Sequence, residues 1–446
     1  MPAPARRKKN EMNHSNTTLA LDGGVPVRTS PLPLEFPGAH FYDNEELKLV
    51  SQVVKARSPF RYYGLDLQHT TEQFEKEFSA FIGMPHALGV SSGSAALTVA
   101  MMAMGVGPGC EVIVPGYLWV STVGAVVRLG AIPVLADIDG SFCLDPSDVE
   151  RKITPRTKAV VAVHMSGASG NIKALAKLCR AKGVLLLEDV AQAAGASVKG
   201  KMLGSFGDIS IFSFQLNKTM TTGEGGAICA RTKKLYDRVF AAHDLGYARN
   251  DKGRLRFDDL DTATWGCGAR MNELTGALAL AQLRKLPQIC AAMRERKHKL
   301  KALLADIPGL QFRKMDDASG EAGSFLLTTL PTAKKAEFFV KALRAEGITT
   351  DERGLTNLRM TDWGLHIYYN IPALVKKLPV SDGNNPWTDA RNNASGKISY
   401  QKGALPVCDD LISRTILLAI PPVLTSRDLK DISAAWHKVA FAHPLI

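Results

Sequence analysis

Short apolar runs recur between residues 86 and 230, most of them followed by a turn and a segment with helical spacing. The runs span residues 86–91, 111–115, 132–136, 159–163, 184–188, 209–213 and 226–230. Most are rich in Val, Ile and Leu without alternation, which is typical of strands buried on both faces. Amphipathic segments such as residues 173–182 lie between several of them. The pattern predicts an α/β layer built on a mostly parallel seven-stranded sheet.

A different pattern begins near residue 295. Just before it, residues 270–286 predict a long helix that ends at Pro287, because proline interrupts the backbone hydrogen bonds of a helix. Strand-like runs then become fewer and charged helices more frequent. These helices are predicted over residues 334–346 and 426–443. We therefore expect a large α/β domain over residues 41–294 and a smaller α+β domain over residues 295–446.

Three polar segments are expected to lie outside these two cores. Residues 1–20 are basic, polar and poor in aromatics, which predicts a disordered tail. Residues 21–40 are rich in Gly and Pro and predict an extended arm over the body of the protein. Residues 380–404 are polar and rich in turn-forming residues, so we expect an exposed insertion there.

The composition is that of an ordinary globular protein. Of the 446 residues, 46% are hydrophobic and 22% are charged. No run approaches the roughly 20 apolar residues that span a bilayer. The first residues lack the apolar region of a secretory signal. The expectation is a cytoplasmic protein that does not contact a membrane.

Charge and cysteine content narrow the possible partners. The net charge is +12, and part of it lies in the basic run at residues 6–9. That run could contact nucleic acid, but we favour a solvated tail and expect no nucleic-acid partner, since no basic stripe interleaved with aromatics follows. A positive field suits anionic small molecules such as phosphorylated or nucleotide-linked sugars. The seven cysteines are scattered without a Cys-x-x-Cys pair, so neither a disulfide framework nor a metal site is expected.

Three candidate chemical features lie at the carboxyl ends of predicted strands, where open α/β sheets bind ligands. The first is Ser91-Ser92-Gly93-Ser94, which precedes an apolar helix predicted over residues 95–104. A turn of small residues at a helix N-terminus presents backbone N–H groups to an anion such as phosphate. A plain helix cap is the ordinary alternative for such a turn.

The second feature is the acidic pair Glu188-Asp189, which closes the apolar run at residues 184–188 and is followed by Gln192. A buried carboxylate is costly unless it has a partner. Asp189 could face the cationic ring nitrogen of a pyridine cofactor, since a carboxylate keeps such a nitrogen protonated. The alternative is an acid that caps the next helix.

The third feature is Lys218, which follows Ser213 in a turn and precedes a Thr- and Gly-rich bend at residues 221–226. A partly desolvated lysine has a lowered pKa and can form a Schiff base. A lone lysine of this kind is usually a surface residue. The order of phosphate turn, acid and lysine, each at a strand end, favours a functional role.

Long segments of the chain resemble the sugar aminotransferase family named after DegT, DnrJ, EryC and StrS, which has the aspartate-aminotransferase fold (fold type I). The similar segments read EDVAQAAGA (residues 188–196), GDISIFSFQLNKTMTTGEGGAICA (207–230) and RMNELTGALALAQLRKL (270–286). The resemblance runs from about residue 40 to the C-terminus. The opening LALDGGVPVR (19–28) is similar to a branch that acts on keto-cyclitols and aminobenzoate precursors.

This resemblance implies pyridoxal phosphate (PLP) as cofactor and a role for each of several residues. Lys218 would hold the cofactor through a Schiff base and shuttle protons. Asp189 would pair with the ring nitrogen, and Gln192 would lie near the phenolic oxygen. Trp119 would stack on the ring face, although a core tryptophan is the alternative. The phosphate would be held by Gly93, Ser94 and Ser213.

Two segments depart from the family pattern. Many relatives carry Asn-Tyr or Asn-Phe before the Arg-Met pair, and that asparagine reaches the phosphate in the neighbouring subunit. Residues 266–270 read GCGAR here, which puts the contact across subunits in doubt. The stretch 380–404 also looks inserted. The resemblance further implies a homodimer with shared active sites, in which residues 60–64 (FRYYG) would either line the partner's site or pack as an ordinary loop.

The function implied is a two-stage transamination. Glutamate or glutamine would give its amine, and a keto-sugar, sugar nucleotide or keto-cyclitol would receive it. One alternative is a PLP-dependent sugar dehydratase, but those relatives replace the lysine with His, and Lys218 argues against this reading. The other alternative is a PLP-binding regulator without turnover, in which the basic N-terminal run would serve a partner.

Overall fold

The computed structural model describes residues 18–250, 252–351, 354–395 and 398–446. The basic run at residues 6–9 and most of the tail predicted over residues 1–20 lie outside the described residues. None of the helices in the described ranges is long and apolar enough to cross a bilayer.

Helices and strands alternate along the chain between residues 70 and 189, and four further strands follow before the next helix. The strands are β1 (His86–Val90), β2 (Glu111–Pro115), β3 (Ile132–Ala136), β4 (Thr157–Val163), β5 (Leu185–Asp189), β6 (Ser197–Val198), β7 (Lys201–Met202), β8 (Ile209–Ser213), β9 (Gly226–Ala230), β10 (Gln311–Phe312), β11 (Phe325–Thr329), β12 (Leu358–Arg359) and β13 (Thr415–Ala419). The α-helices are α1 (Asn44–Lys55), α2 (Thr70–Ile82), α3 (Gly93–Ala103), α4 (Val120–Arg128), α5 (Pro146–Lys152), α6 (Ile172–Lys182), α7 (Lys233–His243), α8 (Glu273–Leu304), α9 (Ala333–Ala345), α10 (Pro372–Val375), α11 (Pro406–Ser413) and α12 (Ser426–Ala442).

Seven strands form the central sheet in the order β1-β9-β8-β5-β4-β2-β3. The five strands from β8 to β3 pair in parallel, whereas β9 is antiparallel to both of its neighbours, β1 and β8. Each of the seven apolar runs in the sequence forms one of these strands. The prediction of a mostly parallel seven-stranded sheet is therefore confirmed, and the carboxyl ends of its parallel strands meet at one edge.

Helices cover both faces of this sheet, because connections between parallel strands have to cross over it. Helices α3, α4 and α7 pack on one face, and α2, α6 and α8 pack on the other. On the second face Phe74 and Phe78 of α2 make edge contacts with Phe212 and Phe214, at centroid distances of 4.8–5.9 Å. These layers fix the sheet edge that carries the site.

A second, antiparallel sheet in the order β10-β11-β13-β12 lies in the C-terminal part of the chain. Helices α9 and α12 pack against it, and Trp436 of α12 is buried beside Phe339 of α9. The expected smaller α+β unit is therefore confirmed.

The N-terminal arm is anchored to this smaller unit. The backbone N–H groups of Ala20 and Val27 donate to the Glu346 carboxylate at 2.8 and 3.1 Å, and Lys438 Nζ pairs with the same carboxylate at 2.9 Å. Leu19 is buried in the core formed by α9 and α12. The arm therefore contacts the smaller unit from Leu19 onwards, whereas the sequence analysis had placed the start of the arm at residue 21.

Helix α8 corrects one sequence prediction. Its N-cap is Asn272, whose side chain accepts a hydrogen bond from Thr275 N–H, and it continues through Pro287 to Leu304. The prediction that Pro287 ends this helix is wrong. Buried apolar side chains continue past the proline, at Ile289 and beyond, and their burial maintains the helix despite the missing N–H group.

The polar segment at residues 380–404 is exposed only in part. The Asn392 side chain is buried; it accepts a hydrogen bond from Gly109 N–H at 2.6 Å and donates to the Gly130 carbonyl at 2.9 Å. The hydroxyl of Tyr400, also buried, donates to the Pro133 carbonyl at 2.7 Å. The expectation of exposure is wrong at these two positions, because their polar atoms bind backbone groups near β2 and β3 instead of water.

Replacing Pro287 with Ala should raise the free energy of unfolding by about 2 kcal/mol. A proline inside a helix costs roughly 3 kcal/mol relative to alanine, and the greater freedom of the unfolded alanine chain returns about 1 kcal/mol. Pro287 is exposed, so the change leaves no cavity. Urea titration followed by circular dichroism measures the difference, and a less stable variant would contradict the prediction.

Candidate active site

All seven residues that the sequence analysis assigned to the cofactor line one cavity of about 390 Å³. The cavity opens at the carboxyl ends of β4, β5 and β8, which is the sheet edge where parallel α/β folds bind ligands. The residues are Gly93, Ser94, Trp119, Asp189, Gln192, Ser213 and Lys218. Segments far apart in the sequence therefore converge as expected.

One end of the cavity is a cradle for an anion. Helix α3 begins at Gly93 and is capped by Ser92, whose Oγ accepts from Ala95 N–H at 3.1 Å. A Cβ built on Gly93 would lie 2.6 Å from Ser213 Cβ, so only glycine lets the helix N-terminus come this close to β8. The N-terminal N–H groups and the hydroxyl groups of Ser94 and Ser213 suit a phosphate.

A second helix N-terminus reaches the same end of the cavity. Helix α4 begins directly after Trp119, and Ser121 in its first turn lies 2.7 Å from Ser94, oxygen to oxygen. Sequence reasoning did not select Ser121. Its position two residues beyond Trp119, at the start of a helix that follows a strand end, is a signal that could have identified it.

Asp189 ends β5 and is almost completely buried facing the cavity. Its carboxylate accepts hydrogen bonds from Thr122 Oγ1 and from Ala191 N–H, each at 3.1 Å. Burial raises the pKa of Asp189, while these two hydrogen bonds and the charge of Lys218 oppose the rise. A cationic group placed in the cavity would stabilise the ionised carboxylate.

Glu188, the other acid of the pair, has a different environment. His164 Nε2 lies 3.0 Å from its carboxylate, and the backbone N–H groups of Gly204, Phe206 and Gly207 donate to it at 2.7–2.9 Å. Burial favours the neutral form, but these hydrogen bonds and the charge of His164 prevail and lower the pKa of Glu188. Glu188 is therefore a structural residue.

Lys218 follows β8 in a turn closed by its own N–H, which donates to the Gln215 carbonyl at 2.9 Å. Burial lowers the pKa of the Lys218 amine, and the charges of Asp189 and Glu224 oppose this effect. Both acids line the same cavity. The lysine thus lies in a setting that favours the neutral, nucleophilic amine.

Gln192 is oriented by the backbone of a strained turn. Ser166 N–H donates to Gln192 Oε1 at 2.9 Å, which leaves the side-chain NH₂ group as the donor for the cavity. Ser166 has a φ of 54°, which is unusual for a residue with a side chain, and its Oγ lies 2.7 Å from the Tyr117 hydroxyl. The turn thus links two residues near the site.

Arg313, which directly follows β10 of the smaller sheet, supports this turn. Its buried guanidinium donates to the backbone carbonyls of Ser141, Met165 and Ala168 at 2.5–3.1 Å. Hydrogen bonds from a charged donor are stronger than neutral ones. The smaller sheet therefore helps to hold the turn that orients Gln192.

His366 is a site residue that the sequence analysis missed. It lines the cavity, and its ring lies 4.6 Å from that of Trp119 and stacks on Trp363 at 4.0 Å, centroid to centroid. Burial lowers the pKa of His366 to about 4, so the ring is neutral near pH 7. Its Nδ1 lies 2.8 Å from the Trp363 carbonyl, which leaves Nε2 as an acceptor. No local motif in the sequence marks this histidine.

A smaller cavity of about 60 Å³ adjoins the first one and shares four lining residues with it. The shared residues are Gln192, Asn217, Lys218 and His366. Glu35 of the N-terminal arm also lines this smaller cavity and was not anticipated from the sequence. Burial raises the pKa of Glu35, although the hydrogen bond from Leu355 N–H at 2.9 Å opposes the rise.

Neither cavity is lined by the two segments to which the sequence analysis assigned a role toward a second subunit. In residues 60–64, Arg61 pairs with Glu75 at 2.7 Å, and Tyr63 is exposed on a separate surface. In residues 266–270, Arg270 pairs with Asp244 at 2.6 Å. Their expected roles toward a second subunit stay predictions.

The arrangement fits the cofactor that the family resemblance implies. An anion cradle lies at one end, a buried carboxylate lies at β5, and a lysine with a lowered pKa lines the same cavity as this carboxylate and Glu224. Together they match the phosphate, the cationic ring nitrogen and the aldehyde of PLP. Trp119 offers an aromatic face, 41% exposed, beside them.

Comparison with known proteins gives a consistent result. Residues 43–353 match the model of the DegT/DnrJ/EryC1/StrS aminotransferase family. The 3-amino-5-hydroxybenzoate synthase of Amycolatopsis mediterranei is 35% identical over 77% of this chain and 83% of its own. The L-glutamine:2-deoxy-scyllo-inosose aminotransferase of Micromonospora echinospora is 31% identical over 96% of this chain and 99% of its own.

A solved structure has the same fold. The crystal structure of 3-amino-5-hydroxybenzoic acid synthase superimposes with a TM-score of 0.73 and 28% identity. The similarity covers 93% of this chain and 99% of that one.

Replacing Asp189 with Asn should abolish most activity while preserving the fold. Asparagine keeps the shape but lacks the charge that a cationic partner in the cavity requires, so we expect kcat to fall by about 10²–10³-fold. Steady-state kinetics on the cofactor-loaded variant measures this. Activity within a factor of a few of the parent would show that the carboxylate charge is not needed.

The neighbouring substitution Glu188→Gln is the matched comparison. An amide directs N–H groups toward the backbone N–H groups that now donate to the carboxylate, so we expect a loss of about 3–5 kcal/mol in unfolding free energy. Thermal unfolding distinguishes the two variants. Equal stability of both would contradict the division into a structural and a functional acid.

Proposed function

We propose that this chain, which belongs to the DegT/DnrJ/EryC1/StrS aminotransferase family, moves an amino group from glutamate or glutamine to a keto-sugar, sugar nucleotide or keto-cyclitol. The chain is a pyridoxal phosphate-dependent transaminase. The observation that carries the proposal is the convergence of the helix α3 N-terminus, Asp189 and Lys218 on one cavity.

Each end of the cofactor has a candidate partner. Gly93, Ser94 and Ser213 would hold the phosphate, Asp189 the ring nitrogen and Lys218 the aldehyde carbon. Gln192 would donate from its NH₂ group to the phenolic oxygen, and Trp119 would cover the ring face. When bound, the cofactor supplies an electron-withdrawing ring that stabilises negative charge on the carbon next to the amine.

Lys218 would carry the proton transfers. Its neutral Nζ takes the proton from the α-carbon of the donor and later delivers one to the carbon that receives the amine. Burial provides the neutral form, since it lowers the pKa of Lys218, and Glu224 and Asp189 limit the shift. The lysine would thus act first as base and then as acid within each half of the reaction, so that the proton it takes up is delivered again before that half ends.

The acceptor would lie beside Trp119 and His366, which both line the cavity. A polyol donates hydroxyl groups, and the neutral His366 ring presents Nε2 as an acceptor for one of them. The cavity volume of about 390 Å³ lies in the range of small-molecule sites. We propose that His366 orients the acceptor.

We further propose a homodimer. Large apolar side chains are 64–91% exposed in two segments, residues 63–65 and 257–265, at Tyr63, Leu65, Phe257, Leu260 and Trp265. Tyr63 and Phe257 line the same surface depression. Exposed apolar surface of this kind is typical of a protein interface.

We also propose that the enzyme acts in the cytoplasm. All seven cysteines are free, and five of them are buried, as is usual in a reducing compartment.

The variant Lys218→Ala should lose amine transfer by at least about 10³-fold, because both the covalent anchor and the proton carrier are removed. The assay uses glutamine labelled at its α-nitrogen and detects the label in the product by mass spectrometry. Lys218→Arg is the matched control, since it keeps the charge without a usable amine, and should be equally inactive. An alanine variant as active as the parent would contradict the assignment.

The same assay separates the alternative functions by following nitrogen. A dehydratase would convert the acceptor without incorporating the label, and a regulator would bind PLP without turnover. We expect one labelled nitrogen in each product molecule. Unlabelled, dehydrated product from the parent protein would contradict transamination.

Replacing Trp265, which is 91% exposed, with Asp should yield a folded monomer, because a charge at an apolar interface opposes association. Sedimentation velocity measures the assembly state. Phe441→Asp is the matched control, since Phe441 is an exposed apolar residue (65%) on α12, outside the two segments proposed to form the interface, and should leave the dimer intact. A dimeric Trp265 variant would contradict the proposed surface.

A further inference from the structure

The smaller cavity beside Lys218 has mixed chemistry. Its walls include apolar residues, among them Phe325, Leu355 and Ile420, and the acidic residue Glu35 lines it as well. A volume of about 60 Å³ admits a few heavy atoms, such as a short side chain ending in one polar group. Because Lys218 lines both cavities, a molecule that reacts next to its amine can extend into this space.

The N-terminal arm places Glu35 in this cavity. Leu32 N–H donates to the Thr349 carbonyl at 2.8 Å on one side, and Gly38 N–H reaches the Lys218 carbonyl at 3.4 Å on the other. Glu35 lies between these contacts and is 7% exposed. Leu355 N–H donates to Oε2 at 2.9 Å, and the carboxylate of this cavity-lining residue has a second oxygen, Oε1, that can also accept a hydrogen bond.

We propose that this cavity holds the side chain of the amino donor and that Glu35 selects glutamine over glutamate. The inference rests on the proposed function. The methylene groups of the donor would contact the apolar wall, and its terminal NH₂ group would donate to the Glu35 carboxylate. The side chain of glutamate would instead bring a second carboxylate into the same enclosed space.

Glutamine and glutamate differ in the group that they would place opposite the buried Glu35 carboxylate. Glutamine would place a hydrogen-bond donor there, and glutamate would place a second negative charge. A site built to hydrogen-bond an N–H group discriminates strongly against an analogue that lacks it, because its buried polar group is then left unpaired. Like charges brought together at low exposure add a further penalty. We therefore expect the parent enzyme to react at least about 10-fold faster with glutamine than with glutamate.

The first half-reaction tests this directly. The cofactor-loaded protein is mixed with L-glutamine, L-glutamate or L-ornithine in a stopped-flow instrument, and loss of the visible cofactor band gives kcat/KM for each donor. In Glu35→Gln the new amide still accepts from Leu355 N–H and can donate to a carboxylate. We expect kcat/KM to rise for glutamate and to fall for glutamine, so that the ratio of the glutamine value to the glutamate value falls by at least about 10-fold.

The matched control is Glu346→Gln, which weakens the arm through another buried carboxylate that accepts arm N–H groups but does not line the cavity. It should slow both donors equally. An equal change of the donor ratio in this control would assign the effect to the position of the arm and overturn the role of Glu35.

Three further outcomes are decisive. A donor ratio unchanged by Glu35→Gln, or ornithine reacting faster than glutamine with the parent, overturns this inference and leaves the proposed transamination intact. If none of the three donors bleaches the cofactor band of the parent, the proposed function fails and the inference fails with it.

Discussion

Two opposite charges are desolvated in one cavity, and the geometry of the site follows from this constraint. Burial favours the neutral form of both Asp189 and Lys218, while each charge favours the ionised form of the other. A cationic heterocycle next to Asp189 would satisfy the carboxylate and leave the amine free to be neutral. The anion cradle at the α3 N-terminus is a third contact, in addition to Asp189 and Lys218. A flat anionic molecule with a basic ring nitrogen can therefore bind in only one orientation.

The sequence predicted the framework of this site well, because strand patterns are local. The seven apolar runs became the seven strands, and chemically active residues at their carboxyl ends came together because parallel strands share one edge. The two acids at the end of β5 show the limit of what the sequence alone can predict. Alternation along a strand sends Glu188 and Asp189 to opposite faces, but only the structure shows which one meets His164 and which one meets the cavity.

The remaining features depend on contacts that no local pattern records. His366 comes from a region of short 3-10 turns without regular spacing, and Glu35 comes from an arm with few predicted elements. Both reach the cavity through tertiary packing. Pro287 shows the same principle in a helix: a local preference was overridden by buried side chains beyond it. In residues 380–404, likewise, polar atoms that suggested exposure bind distant backbone groups.

The anchoring of the arm has a consequence for the order in which the protein matures. Ala20 and Glu346 are 326 residues apart, and Val25 binds Lys438, which is 413 positions later. A nascent chain that has already left the ribosome as far as α8 carries both Asp189 and Lys218, yet the partners of its arm in the smaller unit, Glu346 and Lys438, have not been made. The part of the centre that lies on the strands before α8 can therefore form early in synthesis, whereas His366 and the arm wall that contains Glu35 are added only as the smaller unit is completed.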